Sequence, residues 1–378
     1  MKITNIADVL GEENNGTTIA CMNLVRYLKA CGDIVSVVCC DKSKIGIAGY
    51  YVVDTYNLGP VINKMVAKNN VVLAKPDKKI IYEAIKDSDA IHIMMPFALG
   101  KAAVKIAKKL KKPVTAGFHV QAENFTSHIG MMNQKLINHL TYIHFYNKVY
   151  KKAEAIHYPT EFIRDVFEKN IHRRTSGRII SNGVNKEFIL RKSEKPKEMK
   201  SKFVILFTGR YSKEKSHKIL IKAVSLSKHK ESIQLIFAGQ GPEAAKIQNY
   251  AKKRKITLPL MQFFPREELV KIINYSDLYC HPAEIEIEAI ACIEAISCGL
   301  VPVISNSPRC ATKNFAIDEK NLFRCNDAKD LAYKIDYWIE HPEEKAERSK
   351  EYLGYSSRFG QEQCMQEMRQ MIKDVVNR

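Results

Sequence analysis

Residues 281–304 read HPAEIEIEAIACIEAISCGLVPVI. Four glutamates, Glu284, Glu286, Glu288 and Glu294, stand in an otherwise apolar run. A carboxylate among apolar neighbours is costly unless something pairs with it, and a ligand rich in hydroxyls is one such partner. Cys298-Gly299 reads as a helix stop and Val301-Pro302-Val303-Ile304 as a new strand. With a helix starting near Ala289, Glu286 falls in the loop before its amino end and Glu294 two turns along it. The first amides of that helix, at Ala289, Ile290 and Ala291, then form an anion site with the dipole behind them. Carboxylates for sugar hydroxyls beside amides for a phosphate describe a nucleotide-sugar pocket. The competing account is a plain cluster of Glu at a helix start.

Working outward, the apolar strand 203–208 (FVILFT) ends at Gly209-Arg210, with Lys215 close behind. A helix (217–226), a strand (233–238), the turn Gly239-Gln240-Gly241-Pro242 and a helix to about Lys253 follow. Beyond the opening stretch come a helix at 327–340 and an amphipathic terminal helix at 357–376. The first half runs the same alternation: strand 2–7, a loop ending at Gly16, helix 17–30 closed by Gly32, and strand 34–40. Strand, glycine-bearing loop, helix, strand opens a doubly wound α/β domain, whose ligands bind outside the carboxyl ends of the strands. Strand 113–119 places His119 at such an end, with Gln121, Glu123 and Asn124 next to it. No G-x-G-x-x-G is present, so a dinucleotide cofactor is disfavoured. After Asn182-Gly183 the chain is poor in apolar residues and rich in Lys and Arg, and a linker is expected at 186–202 between a first domain (1–185) and a second (203–355).

At 378 residues with 46% hydrophobic content, the chain is long enough for two cores. Ten cysteines without a C-x-x-C pair are expected to be reduced and buried. No apolar run reaches the ~20 residues of a membrane span, and the amino terminus lacks a signal-peptide profile, so a cytoplasmic location is expected. The net charge of +19 calls for an anionic partner. No nucleic-acid module is legible, which leaves a membrane surface as the expected one. Helix 100–112 carries Lys101, Lys105, Lys108, Lys109 and Lys112 on one side, a solvated face or a headgroup contact. Two further segments invite the same pair of readings, core cover or membrane contact: 50–70 with Lys64, and 128–152 beginning at His128.

Gly209-Arg210, Lys215, Gly239-Gln240-Gly241-Pro242, the Glu-x7-Glu pair Glu286 and Glu294, and Gly299 to Val303 occur in the order and spacing of a known donor domain. The second half resembles that of retaining GT-B glycosyltransferases of family 4. In the first half Gly16, Gly32, His92, His119 and Asn182-Gly183-Val184 also fall at recurrent positions of that family. The resemblance implies two Rossmann-like doubly wound α/β domains facing across a cleft, with the terminal helix packing back on the first. It implies that Arg210 and Lys215 hold the donor diphosphate, aided by Gly16, Thr17, Gly209, Gly239, Gly241 and the amides of Ala289, Ile290 and Ala291. Glu294 would take the ribose, Glu286 the transferred sugar, and His119 the region of the anomeric centre. No metal or cofactor is implied; the only Asp-x-Asp, residues 87–89, precedes its strand. One departure is that Glu288-Ala289 replaces the family's aromatic-Gly pair, so Glu284 or Glu288 competes with Glu286 for the sugar. Within the family the chain is most similar to bacterial diacylglycerol glucosyltransferases, which implies UDP-glucose as donor, a membrane lipid as acceptor and peripheral attachment to the inner face of the cell membrane. Alternatives are a polysaccharide or polyprenyl-linked acceptor, or a non-catalytic nucleotide-binding interaction protein.

Overall fold

The computed structural model describes residues 1–8, 10, 16–57, 59, 73–127 and 131–378. The chain forms two compact units, Met1–Asn182 with Glu362–Arg378, and Gly183–Gln361. Each is built on one parallel sheet.

In unit 1 the strands are β1 (Lys2–Ile6), β2 (Ile34–Cys39), β3 (Tyr50–Val52), β4 (Ala90–Ile93), β5 (Val114–Gly117), β6 (Ala155–Tyr158) and β7 (Gly177–Ile179), in the order β3-β2-β1-β4-β5-β6-β7. Every pairing is parallel. The central strands are buried on both faces, as helices covering both sides of a parallel sheet require, and they bury His92, Thr115 and His157 along with their apolar side chains. The strand order reverses between β1 and β4, so the crevice for a ligand opens beyond the carboxyl ends of these two strands. Residues 87–89 lie at the opposite end, where Asp89 accepts the Lys2 amide at 2.7 Å. Helix Gly16–Ala30 turns Ala20, Cys21, Leu24, Val25 and Leu28 inward and stops at Gly32, whose φ of +80° suits a residue without Cβ. Helix Gln361–Val376 belongs to this unit: Met365, Met368, Met371, Ile372 and Val375 are buried, and Arg369 grips the buried Asp33 with two bonds of 2.6 and 3.1 Å.

Unit 2 holds β8 (Phe203–Thr208), β9 (Ile233–Ala238), β10 (Leu260–Gln262), β11 (Leu278–His281), β12 (Pro302–Ser305) and β13 (Leu322–Phe323), ordered β10-β9-β8-β11-β12-β13 and parallel throughout. Here the reversal lies between β8 and β11. Residues 186–202, expected as a linker, belong to this unit, because Phe188 and Met199 insert into its core despite their charged surroundings. Helix Pro342–Ser356 has no counterpart among the expected elements; it buries only Tyr352 and Ser356, too few apolar positions to leave a periodic pattern. The opening stretch folds as strand, loop, helix Ile290–Ser297, and strand. Gly299, at φ +78°, ends the helix: its amide reaches Ile296 O at 2.9 Å and the Leu300 amide reaches Ala295 O at 3.1 Å.

Candidate active site

Since β8 and β11 flank the reversal in unit 2, the segments after Thr208 and after His281 share one crevice. Lys215 from the first forms an ion pair with Glu286 from the second; both side chains are mostly buried, at 17% and 15% exposure. His281 Nε2 stands 3.4 Å from the same Glu286 oxygen, and its Nδ1 stands 3.2 Å from the Tyr279 hydroxyl. Burial by itself would push the Glu286 carboxyl up, but the Lys215 ammonium and His281 outweigh it and bring it down to about 2. Burial likewise opposes the charge on Lys215, and Glu286 reverses that, so its pKa ends above the usual lysine value. Both partners are therefore charged across the physiological range.

Of the competing glutamates, Glu284 is held by Arg309 at 2.8 Å, while Glu288 is buried at 3% exposure. Arg210 is half-buried; burial lowers its pKa and Glu214 works against that. Its backbone is fixed by two glycines. A Cβ on Gly239 would lie 2.1 Å from Gly209 O, and one on Gly241 2.6 Å from Tyr211 O. The loops after β8 and β9 thus stack backbone on backbone, sealed by the Tyr211 amide to Gln240 O at 3.0 Å. The glycines at 239 and 241 are required by this packing whatever else they do.

Ala289 precedes the helix at φ +62°, ψ +62°, the left-handed region that favours glycine. The amides of Ile290 and Ala291 open the helix and have no intrahelical acceptor. Glu294, in its second turn, makes no hydrogen bond among the described residues. Burial pushes its carboxyl up to about 7, with Arg266 opposing.

In unit 1, Gly16 is the first residue of its helix rather than part of the preceding loop; it is exposed, and a Cβ there would meet nothing within 4 Å. Thr17 is half-buried beside it. His119 lies just past β5, half-buried. Helix Ala98–Lys109 exposes Lys101, Lys105, Lys108 and Lys109; Lys112 lies beyond its end, and Lys108 is neutralised by an ion pair with Glu154. An unopposed lysine row was expected there, and Glu154 is distant in sequence, so the pairing left no local sign. Helix Lys135–Lys148 buries Asn138, Tyr142 and Phe145 and exposes Leu136 and Leu140, at 69% and 55%. Lys64 and His128 lie outside the described residues. Among the described residues no three His, Cys, Asp or Glu come together to hold a metal ion, and no helix is long and apolar enough to cross a membrane.

Two family models tile the chain: "Glycosyltransferase Family 4" matches residues 14–188 and "Glycosyl transferases group 1" residues 188–353. The chain is a family 4 glycosyltransferase. An alpha-monoglucosyldiacylglycerol synthase of Streptococcus pneumoniae is 23% identical to it over 236 residues, 58% of this chain and 52% of that protein. The glycosyltransferase thus spans about half the length of that relative. A protein of the same name from Acholeplasma laidlawii is 22% identical over 278 residues, covering 68% of this chain and 67% of that one. Among solved structures, Anabaena Alr3699/HepE in complex with UDP-glucose superposes with a TM-score of 0.78 at 15% identity, over 99% of this chain and 100% of that one. These likenesses carry the GT-B fold, in agreement with the two Rossmann-like units.

The sequence put Lys215 and Glu286 in one candidate site, and the structure pairs them, but groups beside the glutamates of that stretch were missed. His281 was quoted without a role, although its place at the carboxyl end of β11 is the same signal that singled out His119. Arg309 and Arg266 gave no such signal: Arg309 pairs with Glu284, and Arg266 acts on Glu294 through its charge, each from a separate segment of unit 2.

Proposed function

We propose that this glycosyltransferase moves glucose from UDP-glucose to a membrane lipid such as diacylglycerol, with retention at the anomeric carbon. The observation that carries the donor half is the meeting of Lys215 and Glu286 at the outlets of β8 and β11. A fixed cation suits a phosphate oxygen, and a permanently charged carboxylate beside it suits sugar hydroxyls. Arg210 supplies a second cation, and the amides of Ile290 and Ala291 supply aligned donors. As the bond from the anomeric carbon to the diphosphate oxygen breaks, its electron pair leaves with UDP, and these preorganised groups stabilise the growing charge. Arg210, together with Lys215 when a sugar hydroxyl takes Glu286, would supply the charge that a metal ion supplies elsewhere. Glu294, desolvated and without a hydrogen bond, suits the ribose hydroxyls. The acceptor hydroxyl attacks from the side on which UDP departs, which gives retention. His119 assists by binding a sugar hydroxyl.

The lipid acceptor is supported by the names of the two synthases above and by the charge of +19 with exposed lysines along helix Ala98–Lys109. The enzyme would work as a peripheral protein at the inner face of the cell membrane. Incubation with labelled UDP-glucose and diacylglycerol-containing vesicles is expected to bring label into the organic phase, and Lys215→Ala and Glu294→Ala are each expected to abolish it. Transfer surviving either substitution would reject the donor site drawn here. Label appearing only in a water-soluble polymer would reject the lipid acceptor.

A further inference from the structure

Unit 1 gathers three imidazoles toward the outlets of β4, β5 and β6. His92 and His157 are buried within their strands, and His119 follows β5. His157 Nε2 lies 2.6 Å from Ile180 O. A carbonyl only accepts, so Nε2 carries the proton and Nδ1 is a bare lone pair. That Nδ1 is buried and has no hydrogen-bond partner. His119 Nε2 is also buried and without a partner, and the two rings meet edge to face with centroids 5.3 Å apart. The His119 ring folds down on the sheet because Gly117, the register partner of His157, has no side chain: a Cβ there would lie 2.4 Å from His119 Nε2. His92 Nε2 is a third orphaned ring nitrogen, but among the described residues it is the His119 ring that meets the His157 ring, and orphaned nitrogens on two rings in contact are costly unless each answers the other. The complement of a lone pair is an N–H.

We propose that His157 is a positioning residue for His119: its Nδ1 lone pair accepts the His119 Nε2–H once a small rotation brings the two rings into hydrogen-bond distance, and so holds His119 as the Nε2–H tautomer. His119 Nδ1 is thereby left as a fixed acceptor for a ligand hydroxyl, which rests on the assignment of His119 to the sugar given above. Burial, then the nearness of His157 and His92, keeps the His119 pKa well below the usual histidine range. Burial takes His92 down to about 3 and His157 to about 4. All three rings are neutral at neutral pH, so the tautomer, not the charge, is the state that the surroundings select.

The test is a long-range nitrogen–proton correlation spectrum of the full-length enzyme labelled with 15N-histidine, with His119 assigned by its loss in His119→Asn. The expected pattern is a single neutral Nε2–H tautomer at neutral pH. A proton on Nδ1, or on both nitrogens, overturns the proposal. His157→Phe keeps a ring against His119 and removes the lone pair, along with the donor to Ile180 O. It is expected to leave His119 as a mixture of tautomers and to lower kcat about tenfold, with KM for UDP-glucose within about twofold. A His157→Phe enzyme with the wild-type His119 pattern and kcat also overturns it. The wild-type spectrum is readable whether or not sugar transfer is found, so failure of the proposed activity and failure of this positioning role are separate results.

Discussion

Glu286 and Glu294, eight positions apart, are titrated in opposite directions by their surroundings. Glu286 is paired with Lys215 and brought down to about 2. Glu294 has burial without a hydrogen bond and rises from 4.5 to about 7. A carboxyl whose pKa is raised in the fold binds its proton more tightly there than in the unfolded chain. Stability is therefore untouched below the unfolded value near 4.5 and is lost as the pH climbs through about 7. Glu294→Gln removes the group that must ionise in a desolvated place. It is expected to raise Tm by about 5 °C at about pH 8, corresponding to roughly 2 kcal/mol, and to leave Tm unchanged at about pH 4.5. The same substitution should impair transfer, because an amide cannot hold ribose hydroxyls as a carboxylate does. Thermal unfolding at the two pH values checks the sign; a gain that is equal at both, or a loss at the higher pH, contradicts it.

The helix Ile290–Ser297 begins under strain. Ala289 sits at φ +62° where a Cβ costs about 1–2 kcal/mol, and glycine at that place would lose about 0.5–1 kcal/mol of the gain to the freedom of its unfolded chain. Ala289→Gly is therefore expected to stabilise unit 2 by about 0.5–1 kcal/mol, read from the urea midpoint at constant slope; an unchanged or lower midpoint would mean the conformation carries no strain. The strain was foreshadowed in the sequence, as the replacement of an aromatic-Gly pair by Glu288-Ala289. Most of the fold was legible on the same terms. Strand 203–208 is apolar up to Thr208, strand 233–238 is apolar except for Gln234, and the helix at 217–226 follows from its periodicity; all three match the observed bounds. What escaped is what local pattern does not encode: Phe188 and Met199 entering a core from a charged segment, and Glu154 reaching Lys108. In the site, Glu286 was legible as a carboxylate in an apolar run, and Lys215 only through the order and spacing of motifs that the chain shares with family 4 donor domains. Their ion pair was not, since 71 residues separate them.

At the scale of the whole molecule the dominant quantity is the charge of +19. Charge alone does not select a surface; under the proposed lipid acceptor, the candidate contact on unit 1 is helix Ala98–Lys109. Lys101, Lys105 and Lys109 are exposed on helix Ala98–Lys109, whereas the charge of Lys108 is cancelled by Glu154. A lysine near an anionic bilayer contributes about 1 kcal/mol, so reversing these three should weaken vesicle binding by at least about a hundredfold. Lys108→Ala should cost far less, because its field is already neutralised. Screening gives a second handle, since the Debye length is about 10 Å at 0.1 M salt and about 3 Å at 1 M. Sedimentation with vesicles of increasing anionic lipid content is expected to show binding that rises with the anionic fraction and falls with salt. The variant K101E/K105E/K109E is expected to lose the salt-sensitive part. Equal binding by the triple variant and the wild type would detach this helix from the membrane, and binding indifferent to salt would leave the net charge without a lipid partner.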